Sequence, residues 1–125
     1  MTAQERISRG VDAAHPALGF HVQTNTGEDG VTEIIVAGEL DLANSSILRE
    51  VVDMCCDRNG VKTLIVDVAE LSFIDATGLD ALWSAQETMR SSGGTLYLRE
   101  PSQAVERILN VTKLGGEFAV LDGGG

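Results

Sequence analysis

The run Thr63-Leu64-Ile65-Val66-Asp67-Val68 is the most apolar strand candidate in the chain, and it constrains the fold more than any other segment. A strand that is apolar nearly throughout suits a sheet covered on both faces, as when successive strands are joined by helices. The next segment fits that architecture. Leu71-Ser72-Phe73-Ile74-Asp75-Ala76-Thr77-Gly78-Leu79 leads out of the strand. Leu79, Leu82, Trp83, Gln86 and Met89 then fall on one face of a helix predicted from about Leu79 to Arg90. Ser91-Ser92-Gly93-Gly94 stops it. Asp75, Thr77 and Gly78 are thereby placed at a loop-to-helix junction.

The flanking segments repeat the theme. Met1–Gly19 mixes charge, Ala, Gly and Pro16, and reads as a loose or partly helical extension that adds little to the core. Phe20–Thr24 and Val31–Ala37 alternate as strands around the turn residues Asn25–Gly30, which predicts an antiparallel hairpin. Gly38-Glu39-Leu40-Asp41 leads to a helix expected from Ser45 to Arg58, with Asp41 or Asn44 available to cap it. Its stripe is Ile47, Leu48, Val51, Val52, Met54 and Cys55. Thr95–Leu98 is a further strand, and Pro101 opens a helix carrying Val105, Ile108, Leu109 and Leu114. Phe118–Leu121 is a last strand and Asp122–Gly125 a flexible tail. Strands joined by helices imply parallel crossovers. The expectation is one α/β domain over Phe20–Leu121, with a mixed, mostly parallel sheet of about five strands and packed helices. In such sheets the loops at the carboxyl ends of strands carry function. The Gly38–Asp41 and Asp75–Gly78 loops should therefore meet.

Charge narrows the possible roles. Nineteen acids against nine bases give a formal net charge of −10. That argues against nucleic acid or an anionic membrane as the main partner, since both call for clustered Lys and Arg. No apolar run approaches the ~20 residues needed to span a bilayer. Met1–Ser8 is polar, so a cytoplasmic location is expected. The adjacent Cys55 and Cys56 close too small a loop for a structural disulfide and read as reduced helix cysteines. His15 and His21 lack further ligands at metal spacing. Asp41 and Asp75 are candidate paired carboxylates, but they stand without a phosphate loop, a nucleophile elbow or a metal cluster. The expectation is no enzyme activity, no metal and no cofactor.

The junction itself admits two readings, and both can hold. A helix N-terminus presents unpaired N–H groups and partial positive charge, which suits a phosphate on Thr77. Gly78 removes a side chain where another molecule would approach the backbone. Alternatively, Thr77-Gly78-Leu79-Asp80 fits a capping box, with Thr77 as the N-cap.

Three stretches together resemble the STAS-domain anti-sigma factor antagonists, the anti-anti-sigma factors of bacterial partner switching. Gly38-Glu39-Leu40-Asp41 looks like the family's exit from its second strand. Leu64–Val68 with Leu71–Leu79 looks like its strand-loop-helix signature, and Gly93–Leu98 with Val105, Leu109 and Leu114-Gly115 follows its last third. The family reads Asp-Ser-Ser-Gly or Asp-Ser-Thr-Gly at the signature, with the second hydroxyl residue as phosphoacceptor. By position that residue is Thr77, while Ala76 replaces the first serine. The resemblance implies a regulator of transcription and stress response that binds an anti-sigma factor, often a serine/threonine kinase, and so frees a sigma factor. Phosphorylation of Thr77 would switch it off, and a metal-dependent phosphatase would restore it. The partner surface would comprise Asp41, Asp75, Ala76, Thr77, Gly78 and Asp80. A non-phosphorylated STAS scaffold, a transporter accessory module or a small nucleotide-binding protein are the alternatives.

Overall fold

The computed structural model describes residues 12–15, 19–27, 29–57 and 60–121. The expectations for the remainder of the N-terminal extension, for a helix end at Arg58 and for the tail lie outside the described residues. The elements are β1 Asp12–His15, β2 Phe20–Thr26, β3 Val31–Leu40, α1 Ser45–Cys56, β4 Thr63–Ile74 and α2 Ala76–Ser91, then β5 Thr95–Arg99, α3 Gln103–Thr112, a 3-10 turn Gly115–Glu117 and β6 Ala119–Leu121. They build one six-stranded sheet in the order β1-β2-β3-β4-β5-β6. β1–β2 and β2–β3 pair antiparallel, the latter as the hairpin signal predicts. β3–β4, β4–β5 and β5–β6 pair parallel across the helical connections. The sheet is mixed and mostly parallel, as expected.

The sixth strand is the addition. Asp12–His15 lies inside the segment expected to be loose, yet it pairs with Phe20–Gln23 at the sheet edge. Backbone hydrogen bonding suffices for an edge strand, and Asp12-Ala13-Ala14-His15 carries little apolar alternation by which to recognise it.

β4 departs from expectation in another way. Leu64, Val66 and Val68 are buried, whereas Thr63, Ile65 and Asp67 between them are only half-buried. Among the described residues the strand thus has one fully covered face, not two. The second face is occupied instead by neighbouring strands' side chains: Ile65 lies between Glu33 and Tyr97 in register, and Asp67 between Ile35 and Arg99. The Arg99 guanidinium spans this face, donating to Asp67 Oδ2 at 2.9 and 3.1 Å and also to Glu33. These three side chains are only 15–25% exposed, so mutual pairing offsets the partial desolvation of their charges.

The covered face meets the helices. Leu48, Val51, Val52 and Cys55 of α1, Leu79, Leu82, Ala85 and Met89 of α2, and Val105 and Leu109 of α3 join one core with the inward residues of the sheet. The α1 stripe is narrower than predicted, because Met54 is exposed. Cys55 is buried and Cys56 half-buried, both reduced. Burial, then Cys55, Asp53 and Asp57, push the Cys56 thiol up to about 11, so it stays protonated at neutral pH. Among the described residues, no helix is long and apolar enough to cross a membrane.

Candidate functional site at the paired strand ends

Strand register creates the site. β3 and β4 shift register twice, between Ile35 and Ala37 and between Gly38 and Glu39, and then finish with Leu40 opposite Ile74. Asp41 and Asp75 are therefore the first residues beyond two adjacent strand ends, and their loops meet as predicted. Gly38 makes the second shift possible: its φ is +94°, and a Cβ there would lie 2.0 Å from the Gly19 carbonyl oxygen. The two loops are bonded to each other. The Asp75 N–H donates to the Leu40 carbonyl at 3.2 Å, and the Leu42 N–H donates to the Asp75 carboxylate.

Asp75 is the N-cap of α2. Its backbone is extended (φ −111°, ψ −172°), and Oδ1 accepts from the Gly78 N–H at 3.0 Å. The same Oδ1 accepts from the Thr77 hydroxyl at 2.6 Å. The expected capping box at Thr77 is thus replaced. Thr77 is the second helical residue, already in helical conformation, and cannot reach forward to an unpaired amide as an extended aspartate can. The helix accordingly starts at Ala76, three residues before the predicted Leu79. Asp80, freed from any capping role, binds the Arg49 guanidinium of α1 at 2.7 Å. Arg49 also donates to Ser84 Oγ at 2.8 Å, so it ties α1 to α2 beside the site.

Asp41 and Asn44 shape the other loop, and neither side chain caps α1. Asp41 Oδ1 accepts from the Ala43 N–H at 3.0 Å, an aspartate turn. Asn44 stands at the N-cap position but is buried and turned backward. Its Oδ1 accepts from the Asp41 N–H at 2.8 Å and its Nδ2 donates to the Glu39 carbonyl. The first turn of α1 is served by the Asp41 carbonyl, which accepts from the Ser45 N–H at 2.8 Å.

Gly78 answers an internal requirement. It is buried, and a Cβ there would stand 2.6 Å from the Leu40 carbonyl oxygen. The space that seemed open to another molecule is filled by β3. Ala76 and Asp80 are exposed or nearly so and Thr77 lies at the surface between them. Leu42 is 76% exposed and Phe73 48%. These two apolar side chains at the carboxyl end of the sheet escaped sequence reasoning, although an isolated leucine after Asp41 was the available sign.

Burial opposes ionisation of Asp75, but the Thr77 hydroxyl and the N–H groups of Gly78, Leu42 and Thr77 outweigh it and hold the carboxyl below its ordinary value. A lowered folded-state pKa means that the stabilisation is complete above the unfolded value, about 4, and is lost as pH falls through the folded one. Asp75→Ala is expected to destabilise the fold by about 1 kcal/mol at neutral pH, the usual worth of a cap. Urea titrations from pH 7 to pH 2 should show that penalty shrinking below about pH 4. A penalty independent of pH would assign it to packing and not to the carboxylate.

Chemically, both carboxylates are occupied by backbone N–H groups of the two loops, which leaves a threonine hydroxyl oriented by an ionised aspartate. The hydroxyl proton points at Asp75, so the oxygen lone pairs are clear of it. Among the described residues, no group of three His, Cys, Asp or Glu side chains is placed to hold a metal ion.

Known proteins share this arrangement of elements. A sequence profile of the STAS domain matches residues 23–122. An anti-sigma-B factor antagonist of Staphylococcus epidermidis is 26% identical over 106 residues, covering 85% of this chain and 96% of that protein. The anti-sigma factor antagonist SpoIIAA in its unphosphorylated form superposes with a TM-score of 0.70 at 23% identity, covering 81% of this chain and 86% of that one. The Bacillus cell fate determinant SpoIIAA in the phosphorylated form gives 0.65 at 22% identity, covering 81% and 89%.

Proposed function

The chain belongs to the STAS domain family, and on that premise we propose that it is an anti-sigma factor antagonist switched by phosphorylation of Thr77. The observation that carries this reading is the 2.6 Å bond by which Asp75 orients the Thr77 hydroxyl at the first turn of α2. A nucleophile held at a helix N-terminus, at the surface and beside exposed apolar side chains, suits a residue that a kinase modifies and a partner reads. The relatives' role as antagonists supports the same reading.

Unphosphorylated, the surface formed by Asp41, Asp75, Ala76, Thr77 and Asp80 docks on an anti-sigma factor that is itself a serine/threonine kinase. Gly78 contributes from below by letting α2 sit close on β3. Docking frees a sigma factor in the cytoplasm. Phosphorylation adds about −1.5 to −2 charge at pH 7 to a surface that already carries three aspartates. Like-charge repulsion and desolvation of the dianion then oppose docking. The partial positive charge of the α2 N-terminus offsets part of the phosphate's charge, so the fold persists although the Asp75 carboxylate caps the same turn. SpoIIAA shares the fold in both of its states, which fits a switch working through surface charge. A metal-dependent phosphatase reverses it. In this scheme the protein is substrate and ligand, and the chemistry belongs to its partners.

Intact mass after incubation with ATP and each purified anti-sigma kinase of the source genome tests the proposal. One phosphoryl group on the wild type and none on Thr77→Ala is the expected result. Modification that persists in Thr77→Ala, or wild type left unmodified by every kinase, would overturn it.

A further inference from the structure

The parallel strands are added in one direction, from β3 to β6, and right-handed crossovers then put every connecting helix on the same side of the sheet. No described helix packs on the other side. That face carries Ile35, Ile65 and Tyr97 beside the Glu33–Arg99–Asp67 cluster, all of them half-buried. We propose that this open face is a docking surface for the chain's own residues 1–11. Nothing in it depends on Thr77 or on the antagonist reading.

Register decides where that segment meets the sheet. Asp12 pairs with Gln23, Gln23 with Ile35, Ile35 with Asp67 and Asp67 with Arg99. One row of residues thus runs from the first residue of β1 to the ion cluster, and residues 1–11 join the sheet at the end of that row. Their length suffices. From β1 to β4, where Ile65 and Asp67 stand, is three strand spacings or about 14 Å. Eleven residues span roughly 16 Å as a helix and roughly 36 Å extended.

The chemistry of the segment matches the face. Ala3, Ile7 and Val11 recur at every fourth position, the spacing of one helical face, and would cover Ile35, Ile65 and Tyr97. Arg6 and Arg9 stand against the single Glu5, so the segment brings positive charge. The face offers the opposite sign. Glu33 and Asp67 share one guanidinium, that of Arg99, which leaves a negative charge in excess among partly desolvated groups. Asn25, paired with Glu33 across β2 and β3, adds an unmet acceptor. Its Nδ2 donates to Glu33 Oε1 at 2.8 Å, but its Oδ1 is buried without a hydrogen-bond partner. A guanidinium or backbone N–H laid over this row would supply the donor. A second copy of the chain is the poorer occupant, since it brings the same excess of acids to a molecule of net charge −10.

Limited trypsin digestion of the full chain, read by intact mass, tests the assignment. A docked segment must leave the sheet before trypsin can cut after Arg6 or Arg9, and such cutting follows the population of the open state. Ile65→Glu places a charge in the face and Tyr97→Ser removes its ring. Each is expected to speed those two cuts about tenfold or more. Val111→Glu, at an exposed position on α3, should be cut like wild type. Thermal melts check that each variant folds, and Tyr97→Ser, which adds no charge, carries the test if Ile65→Glu does not. Equal cutting of wild type and the folded face variants would overturn the proposal. So would protection of wild type that fades on dilution while sedimentation shows dimers, because a second copy would then hold the face.

Discussion

Thr77→Glu is expected to weaken binding of the anti-sigma partner more than about a hundredfold, equivalent to roughly 3 kcal/mol, while Thr77→Ala binds like wild type. The asymmetry follows from where the charge lands. Thr77 touches Asp75 and stands one helical turn from Asp80, so a carboxylate there enlarges an acidic patch that a docking partner must desolvate. The fold should not suffer. Glutamate in the first turn of a helix is favourable to the macrodipole, by ~0.3–1 kcal/mol at an exposed position. Thr77→Ala deletes the hydroxyl bond to Asp75 but leaves the Gly78 amide on the same oxygen, so the cap persists. Titration of both variants, with melting temperatures alongside, separates surface from fold. Equal affinity of the two variants would deprive Thr77 of any switching role.

Gly78→Ala should destabilise the protein by roughly 3 kcal/mol and lower its melting temperature by roughly 10 °C. Helix propensity alone forecasts the reverse, since alanine is better than glycine inside a helix by about 1 kcal/mol. The close approach of α2 to β3 decides the outcome. The new Cβ would stand 2.6 Å from the Leu40 carbonyl oxygen, 2.8 Å from Leu40 Cγ and 2.9 Å from Ile74 Cγ1. The Leu40 oxygen also accepts from the Asp75 N–H, so it cannot yield without loosening the two loops from each other. Calorimetry on Gly78→Ala beside Gly116→Ala, where nothing lies within 4 Å of the added methyl, isolates the contact. An unchanged or raised melting temperature for Gly78→Ala would mean that α2 can lift from β3 at little cost.

Much of this was legible in advance. The α/β class, the hairpin leading into parallel crossovers, and the meeting of the Asp41 and Asp75 loops all derive from periodicity and from where strands must end in such a sheet. Apolar spacing marked the inward face of α2, with Leu79, Leu82, Gln86 and Met89 buried and Trp83, drawn with them, half-buried. Local signals misled where two nearby groups competed for one role. Thr77 and Asp75 can each cap a helix, and residue type does not rank them, because both are favoured N-caps. Likewise, a glycine beside a hydroxyl can clear space for a partner or for its own strand.

The order of β2 to β6 with the helices between them, and the placement of a single loop hydroxyl, Thr77, after Asp75 at the start of a helix, were determined by the sequence alone. These depend on interactions within a few residues, where spacing along the chain is spacing in space. The tertiary structure decided the rest: that Asp75 caps and orients, that Gly78 admits Leu40, that one face of the sheet carries Arg99 between Glu33 and Asp67, and that Leu114 closes a groove against Ala76 and Trp83. Most of these depend on the register that sets Leu40 opposite Ile74 or on contacts between residues more than thirty positions apart. Such contacts are fixed by packing the whole core at once, and no local pattern encodes them.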